Sequence, residues 1–275
     1  MAGAIFKETL RRKWRNMLYW GLGLGFYTLY PFFILPSDDE KMQEFFDGYA
    51  GILDNFDPNL VRALGIENIE TFGTAAGFIG YGIFSFMLLV LSVYAVLAGL
   101  NVTANDEDNG VIDILLSLPI PRWRIIVEQS LAYGLMMIGI SCMAFIGLRL
   151  GNLITPLDLG VGTSRLLEGT LNFAPSTFFI FAFTVMVATL VRRKSLAAGI
   201  CGVFVVASYM LDSVGRAAGT ETADAIREVS VFAHYNGISI LDTGLIWADV
   251  IGLIVVSMGF IAIAVYLFDK RDIAV

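Results

Sequence analysis

The sequence predicts an all-α polytopic membrane protein, and composition and hydropathy carry this prediction. Of the 275 residues, 57% are apolar and 16% are charged, whereas a soluble domain is about 45–50% apolar and about 25% charged. The apolar residues also collect in stretches long enough to cross a bilayer core, which takes about 20 residues of helix. The mean hydropathy of +0.73 agrees with this class.

Six stretches meet the length requirement, and together they make residues 1–275 a single transmembrane domain. They are Asn16–Pro36, Thr74–Leu100, Ile125–Leu148, Leu171–Val191, Leu196–Leu211 and Leu245–Phe268. The first is uninterrupted and lacks the small-residue cleavage site of a secretory signal peptide, so we expect it to be retained. The second is long enough to tilt or to extend beyond the bilayer, and the fifth is the shortest.

The basic residues predict the orientation of these spans. An even number of spans puts both termini on one side, and the side rich in Lys and Arg is the cytoplasmic one. That side would hold Lys7, Arg11, Arg12, Lys13, Arg15, Arg122, Arg124, Arg192, Arg193, Lys194, Lys270 and Arg271, which is 12 of the 18 basic residues. We therefore expect cytoplasmic termini. The net charge of −7 then reflects acidic outer loops, and no nucleic-acid partner is expected.

The N-terminal residues 5–17 have one apolar and one basic side when drawn as a helix. Ile5, Phe6 and Leu10 fall on the first side, and Lys7 and Arg11 on the second. This pattern is typical of a basic helix that lies in the membrane interface. An orientation anchor for the first span would have the same pattern.

The two longest outer loops are also expected to be helical. Ser37 and Glu40 form a capping-box pattern, and an apolar helical stripe follows from Met42 to Phe56. We expect this helix to pack on the bundle rather than to bind a ligand. The last outer loop has helical character around "TADAIREVSVFAHYN".

Histidine and cysteine usage leaves no metal or catalytic site to predict. His234 is the single histidine of the chain, and one histidine does not build a metal site. Cys142 and Cys201 both fall inside predicted spans, where small apolar packing residues are expected rather than a disulfide.

The segment between the second and third spans, "NDEDNGVIDILLSLPIPRWR", is polar, then apolar, then basic. Its acidic start suits a helix N-terminus. We expect Val111–Leu118 to form two helical turns, which Pro119 and Pro121 would end. A helix this short and apolar must bury its face. Either the cytoplasmic ends of the spans or a separate protein with a groove would cover it.

The stretch "EDNGVIDILLSLPIPRWRIIVEQ" resembles the cytoplasmic loop of ABC transporter permease subunits of the type-2 exporter superfamily, which share an ABCG-like architecture. Their pattern is an acidic pair, Gly-Thr, an acidic residue, Leu-Leu-Ser, any residue, Pro, then Ser-Arg before a span. The matching positions are Gly110, Asp113, Leu115, Leu116, Ser117, Pro119 and Arg122. The departures are Val111 for Thr, Pro121 for Ser, and Gln129 where Lys is common.

Two further stretches look similar to the same family, although each is weaker. "LVRALGIENIETFGTAAGFIGYGIFSF" resembles its entry into span two, and "VSVFAHYNGISILDTG" its loop before span six. The resemblance therefore extends over most of the topology. It implies the cell membrane of a prokaryote as the location.

The resemblance implies that residues 110–118 form a coupling helix that docks on a nucleotide-binding ATPase subunit. The coupling residues would be Gly110, Asp113, Ile114, Leu115, Leu116, Ser117, Pro119 and Arg122. A second cytoplasmic contact is expected at Arg192, Arg193 and Lys194, a segment that would serve equally as a tight hairpin. The implied partners are an ABC ATPase dimer and a second permease, either another copy of this chain or a paralogue.

The chain itself lacks the means to bind ATP through a P-loop, which ends in Gly-Lys-Ser/Thr. Its five lysines are Lys7, Lys13, Lys41, Lys194 and Lys270, and none follows a glycine. ATP and Mg are therefore expected on the partner ATPase. This chain is expected to be a transport subunit with no cofactor, no metal and no catalytic residue.

Export of a hydrophobic or amphipathic compound, such as a drug, antibiotic or lipid, is what the resemblance and the apolar spans imply. In the family the pathway lies between the second and fifth spans of a dimer. Candidate lining residues are Tyr81, Ser85, Phe204, Ser208 and Tyr209, and candidate close-approach positions in span five are Gly199, Gly202 and Ala207.

Two other functions stay open at this point. An ion-coupled carrier would place ionisable residues near mid-membrane, whereas Glu128 and Asp249 fall near span ends. A membrane anchor protein without transport activity would show the same hydropathy.

Overall fold

The computed structural model describes residues 3–36, 38–66, 74–104, 121–154, 161–191, 193–237 and 240–270, and these ranges contain helices and turns but no strand. Six helical segments in them are long and apolar enough to cross a membrane: Ala4–Ile34, Gly77–Leu100, Arg122–Ile154, Thr163–Val191, Lys194–Ala218 and Trp247–Asp269. We call them spans 1 to 6. The predicted all-α fold with six spans is confirmed.

The two faces of the bundle follow from this topology. The start of span 1 and the end of span 6 lie on one side, which we call the terminal face, and the other side is the distal face. Short helices of the distal face are Asp39–Leu53, Pro58–Ala63, Glu221–Arg227 and Ile240–Thr243.

Span 1 differs from its prediction, because the N-terminal segment is not a separate interfacial helix. One continuous helix, Ala4–Leu29, contains it, and the short helix Pro31–Ile34 follows. Ile5, Phe6 and Leu10 pack against the hydrophobic core of the bundle. The basic residues Lys7 and Arg11 point away from the core and are exposed. The apolar and basic sides of the pattern are therefore a bundle-facing and a solvent-facing side of one long helix.

The helix Asp39–Leu53 packs on the distal end of span 2 through an aromatic cluster. The rings of Phe45 and Phe78 meet edge to face at 5.5 Å, as do those of Tyr49 and Phe78. Ser37 of the predicted capping box lies outside the described residues, and Asp38 stands at the N-cap.

Span 4 lies at the centre of the bundle, where it packs on spans 2, 3, 5 and 6, and span 1 packs mainly on span 3. The buried share of the most apolar window is 61%, 50% and 56% for spans 2, 3 and 4, but only 22%, 28% and 17% for spans 1, 5 and 6. Spans 1, 5 and 6 therefore present most of their surface to lipid or to another chain.

Spans 1 and 3 cross at a contact between backbones. A Cβ atom added at Gly147 would lie 1.9 Å from the carbonyl oxygen of Gly25. One turn along, the Thr28 hydroxyl donates to the carbonyl oxygen of Ala144 at 2.8 Å. Glycine at such positions lets membrane helices approach closely.

Two central spans are irregular, and both irregularities face the same connecting segment. Span 2 contains a π-helical turn at Gly80–Phe84, and the helices of span 4 meet at Asn172. The segment 230–237 packs here: the Asn172 amide donates to the carbonyl oxygen of Tyr235, and a Cβ added at Gly237 would lie 2.7 Å from the carbonyl oxygen of Phe84. Irregular backbone thus accommodates a loop buried within the distal half of the bundle.

Candidate functional site

The predicted coupling segment, from Gly110 to Pro119, lies outside the described residues, as does Arg192. Its described flanks are the end of span 2 at Leu100 and the start of span 3 at Arg122, both on the terminal face. Arg193 and Lys194 lie on that face as well, exposed at the start of span 5. The terminal-face ends of spans 2, 3 and 5 thus carry the described part of the predicted ATPase-coupling surface.

Next to this surface, Glu128 of span 3 caps the N-terminus of span 1. Its Oε1 accepts from the backbone N–H of Gly3 at 3.2 Å, and its Oε2 accepts from the N–H groups of Ile5 and Phe6 at 3.1 and 3.2 Å. Nε of Arg124 lies 3.9 Å from the same Oε1. Gly3 has φ 82, a left-handed backbone that suits glycine. A carboxylate at a helix N-terminus also interacts favourably with the helix dipole.

Sequence reasoning assigned Glu128 no role. The pair Arg124–Glu128, four residues apart, was visible in the sequence, but the partners that fix Glu128 are more than 120 residues away. Only the packing of span 1 on span 3 brings them together.

On the distal face, a cleft opens between spans 2 and 5 and the segment 230–237. We call it the distal cleft, and the residues that line it are Ala63, Leu64, Ser85, Phe86, Tyr209, Asp212, Ser213, Arg216, Phe232, Tyr235 and Gly237. Two of the predicted pathway residues, Ser85 and Tyr209, are among them.

The other three predicted pathway residues pack nearby. Tyr81 meets the ring of Phe86 edge to face at 5.9 Å, and Phe204 stacks on Phe183 of span 4 at 4.1 Å. Ser208 is buried, and its carbonyl oxygen accepts from the Ser230 hydroxyl at 2.7 Å.

A buried charge network forms one wall of the distal cleft. Asp212 of span 5 is 4% exposed, and its Oδ2 accepts from Arg216 Nη2 at 2.7 Å. Its Oδ1 accepts from Nε of Arg227, in the helix Glu221–Arg227, also at 2.7 Å. The span 5 predicted from the sequence ends before Asp212, so that prediction leaves out the network. Asp212 and Arg216 nevertheless stand at the spacing of a helical ion pair.

Three of the residues that line the cleft each have a polar atom that is buried without a hydrogen-bond partner among the described residues: Ser85 Oγ, Arg216 Nε and the Tyr235 hydroxyl oxygen. Burial, with a smaller contribution from Tyr27, raises the pKa of the Tyr235 hydroxyl well above its usual value. That hydroxyl therefore stays protonated.

His234 ties the same connecting segment to span 6. Its Nδ1 lies 2.8 Å from Oδ1 of Asp249, and its Nε2 lies 2.9 Å from the carbonyl oxygen of Glu228. The amide of Asn236 donates to Oδ2 of Asp249 at 2.9 Å. This arrangement holds a loop in place. Within the described ranges, no three His, Cys, Asp or Glu side chains group as a metal site would require.

Six apolar spans, with span 4 at the centre of the bundle and polar sites at both faces, define a multi-pass membrane protein. Comparison with protein families matches residues 4–273 to the ABC-2 family transporter protein. The chain therefore belongs to this family. It is the permease, a transport component of an ABC transporter and not itself an enzyme, and membership implies an ATPase partner. A search of curated proteins returns no match.

Proposed function

We propose that this chain is the permease subunit of an ATP-driven exporter, working as a dimer with a separate ATPase dimer that binds ATP and Mg. The observation that carries the proposal is the coupling motif at Gly110–Arg122, which lies between spans 2 and 3 of a chain whose family match covers residues 4–273. In this proposal the motif transmits ATP-driven closure of the ATPase to the spans.

The terminal face would be cytoplasmic, in the cell membrane of a prokaryote. The basic residues support this orientation: Lys7, Arg11 and Arg12 are exposed on the terminal end of span 1, and Arg193 and Lys194 are exposed at the start of span 5. A basic face is retained in the cytoplasm, where the ATPase is found.

The exposed face of span 5 supports a dimer with a second copy of the chain or with a paralogue. No atom of the described residues lies within 4 Å of a Cβ built at Gly199 or Gly202, and the neighbouring Val203 and Val206 are 70% and 57% exposed. Small residues on an uncovered helix face allow close approach of another helix in lipid.

The cargo would be a hydrophobic or amphipathic compound that passes between spans 2 and 5. The residues proposed for this pathway are Tyr81, Ser85, Phe204, Ser208 and Tyr209. Ser85 of span 2 and Tyr209 of span 5 both line the distal cleft, which supports this placement.

The test is a double substitution in the coupling segment, Leu115→Ala with Leu116→Ala. Truncating buried leucines in an interface costs about 2 kcal/mol or more, which weakens assembly more than tenfold. We expect the variant to insert and fold but to lose the ATPase on co-purification and to lose cargo-stimulated ATP hydrolysis. Asp113→Ala is expected to have a milder effect, because a contact at the rim of an interface stays partly solvated.

The matched control removes the same groups elsewhere, in Leu153→Ala with Ile154→Ala. Both side chains are exposed on the distal end of span 3, at 70% and 60%, so this variant should assemble and transport normally. Normal assembly and transport in the coupling double variant would show that the segment packs on its own bundle, and the proposal would fail.

A further inference from the structure

The charge network in the wall of the distal cleft, Asp212 with Arg216 and Arg227, has a net positive charge that the described part of the chain leaves without a counterion. Asp212 supplies one negative charge, and both of its carboxylate oxygens are occupied, one by Arg216 and one by Arg227. Two guanidinium groups therefore share one carboxylate. All three side chains are largely buried: counted without their backbone atoms, they are 6% exposed for Asp212, 17% for Arg216 and 24% for Arg227. A charge held away from water needs a partner.

The unpartnered polar atoms of three lining residues indicate the chemistry of that partner. The Arg216 guanidinium can only donate hydrogen bonds, and its Nε–H has no acceptor among the described residues. The hydroxyls of Ser85 and Tyr235 are likewise buried without partners, and both can donate. A buried donor that makes no hydrogen bond destabilises the folded state, because it has lost its contacts with water. A ligand that accepts several hydrogen bonds would satisfy all three.

The size of the cleft limits what can enter. Its interior volume is about 20 Å³, and one water needs about 10–15 Å³ on the same measure. A single small group fits, such as a halide ion or one oxygen-bearing headgroup. A neutral water would satisfy the hydroxyls but would leave the residual charge of the two arginines uncompensated.

We propose that the distal cleft binds one small anionic group, held by Arg216, Ser85 and Tyr235. The group is either a free inorganic anion, such as chloride, or the anionic end of an amphipathic compound. In the second case the site would select anionic cargo between spans 2 and 5, a consequence that rests on the proposed export function. The anion site itself does not rest on it.

Thermal unfolding of the full-length chain in a neutral maltoside detergent tests the proposal without the ATPase. One series titrates sodium chloride, and a second compares octanoate with octanol, which has the same chain length but no charge. We expect chloride, octanoate or both to raise the unfolding temperature, by about 3–5 °C at a tenfold excess over the dissociation constant, and octanol to have no such effect.

Two substitutions connect the effect to the cleft. Ser85→Ala with Tyr235→Phe removes two hydroxyls that have no described partner, so the fold should be retained while the anion-dependent rise is lost. Arg216→Lys keeps the charge beside Asp212 but removes the Nε–H donor, and should reduce the rise.

The control is Tyr94→Phe with Ser176→Ala. These hydroxyls are also buried without a described partner, but they are not among the residues that line the cleft. This variant should respond to anions as the unmodified chain does, which removes general ionic effects from the comparison.

If chloride alone raises the unfolding temperature, the ligand of the cleft is a free inorganic anion. If octanoate alone raises it, the ligand is the headgroup of an amphipathic compound. The proposal is overturned if neither anion stabilises the chain, if octanol stabilises it as much as octanoate, or if the control variant loses the response equally. Failure of transport would leave these results unchanged, so the two proposals fail separately.

Discussion

Glu128 offers the sharpest test of how the terminal face is held together. The substitution Glu128→Ala removes the acceptor for three backbone N–H groups, those of Gly3, Ile5 and Phe6, at 3.1–3.2 Å. Loss of an N-cap costs about 0.5–2 kcal/mol, and loss of a carboxylate from a helix N-terminus costs about 0.3–1 kcal/mol more. We therefore expect the free energy of unfolding to fall by about 2 kcal/mol. Glu128→Gln, which retains one acceptor oxygen, should cost about half as much.

Glu8→Ala is the matched control, because Glu8 is an acidic residue of span 1 whose partner, Arg11, is 79% exposed. An exposed pair of this kind contributes no more than about 0.5 kcal/mol. Denaturant titration in mixed micelles measures the free energy of unfolding. Hydrogen exchange should show faster exchange of the Ile5 and Phe6 amides in the Glu128 variant only. Equal stability of Glu128→Ala and Glu8→Ala, with unchanged exchange, would refute the assigned cap.

Other regions give equally specific expectations. Gly147→Leu should lower the free energy of unfolding by about 3 kcal/mol, because a Cβ there would lie 1.9 Å from a carbonyl oxygen of span 1. Gly23→Leu should not lower it, because no described atom lies within 4 Å of a Cβ built at Gly23. Chemical denaturation of the two variants measures the difference. Above about pH 10 the unfolded chain releases the Tyr235 proton while the folded chain retains it, so stability falls as the pH rises. Tyr235→Phe should reduce this fall by up to about 1.4 kcal/mol per pH unit, measured by unfolding at alkaline pH. Asp249→Ala removes the acceptor of His234 and should speed proteolysis within residues 228–237, seen by limited digestion.

The sequence by itself determined the class of protein, the number of spans and the family. These properties depend on local features: a span needs about 20 apolar residues wherever it packs, and the motif around Asp113 and Ser117 is continuous in the chain. The family match over residues 4–273 bears out the resemblance. The function of the coupling segment stays a prediction.

The ends of the spans were harder to predict. A charged residue beside an apolar stretch indicates the end of a span when the residue that neutralises its charge is unknown. Span 5 was expected to end at Leu211, yet its helix continues to Ala218, since Asp212 is neutralised by two arginines. Span 1 was expected to begin at Asn16, yet its helix begins at Ala4, because four of its five basic residues, all but Lys13, are exposed on the side that faces away from the bundle.

Only the tertiary structure decided which residues meet. Glu128 hydrogen-bonds to the N-terminus of span 1, Asp212 to Arg227, and His234 to Asp249, across separations of 15 to 125 residues along the chain. No periodicity or local spacing encodes such pairs, because they depend on how helices pack. The distal cleft exists for the same reason: Ser85 and Tyr235 belong to different elements, and only the folding of the 230–237 segment against spans 2 and 5 puts them at one site.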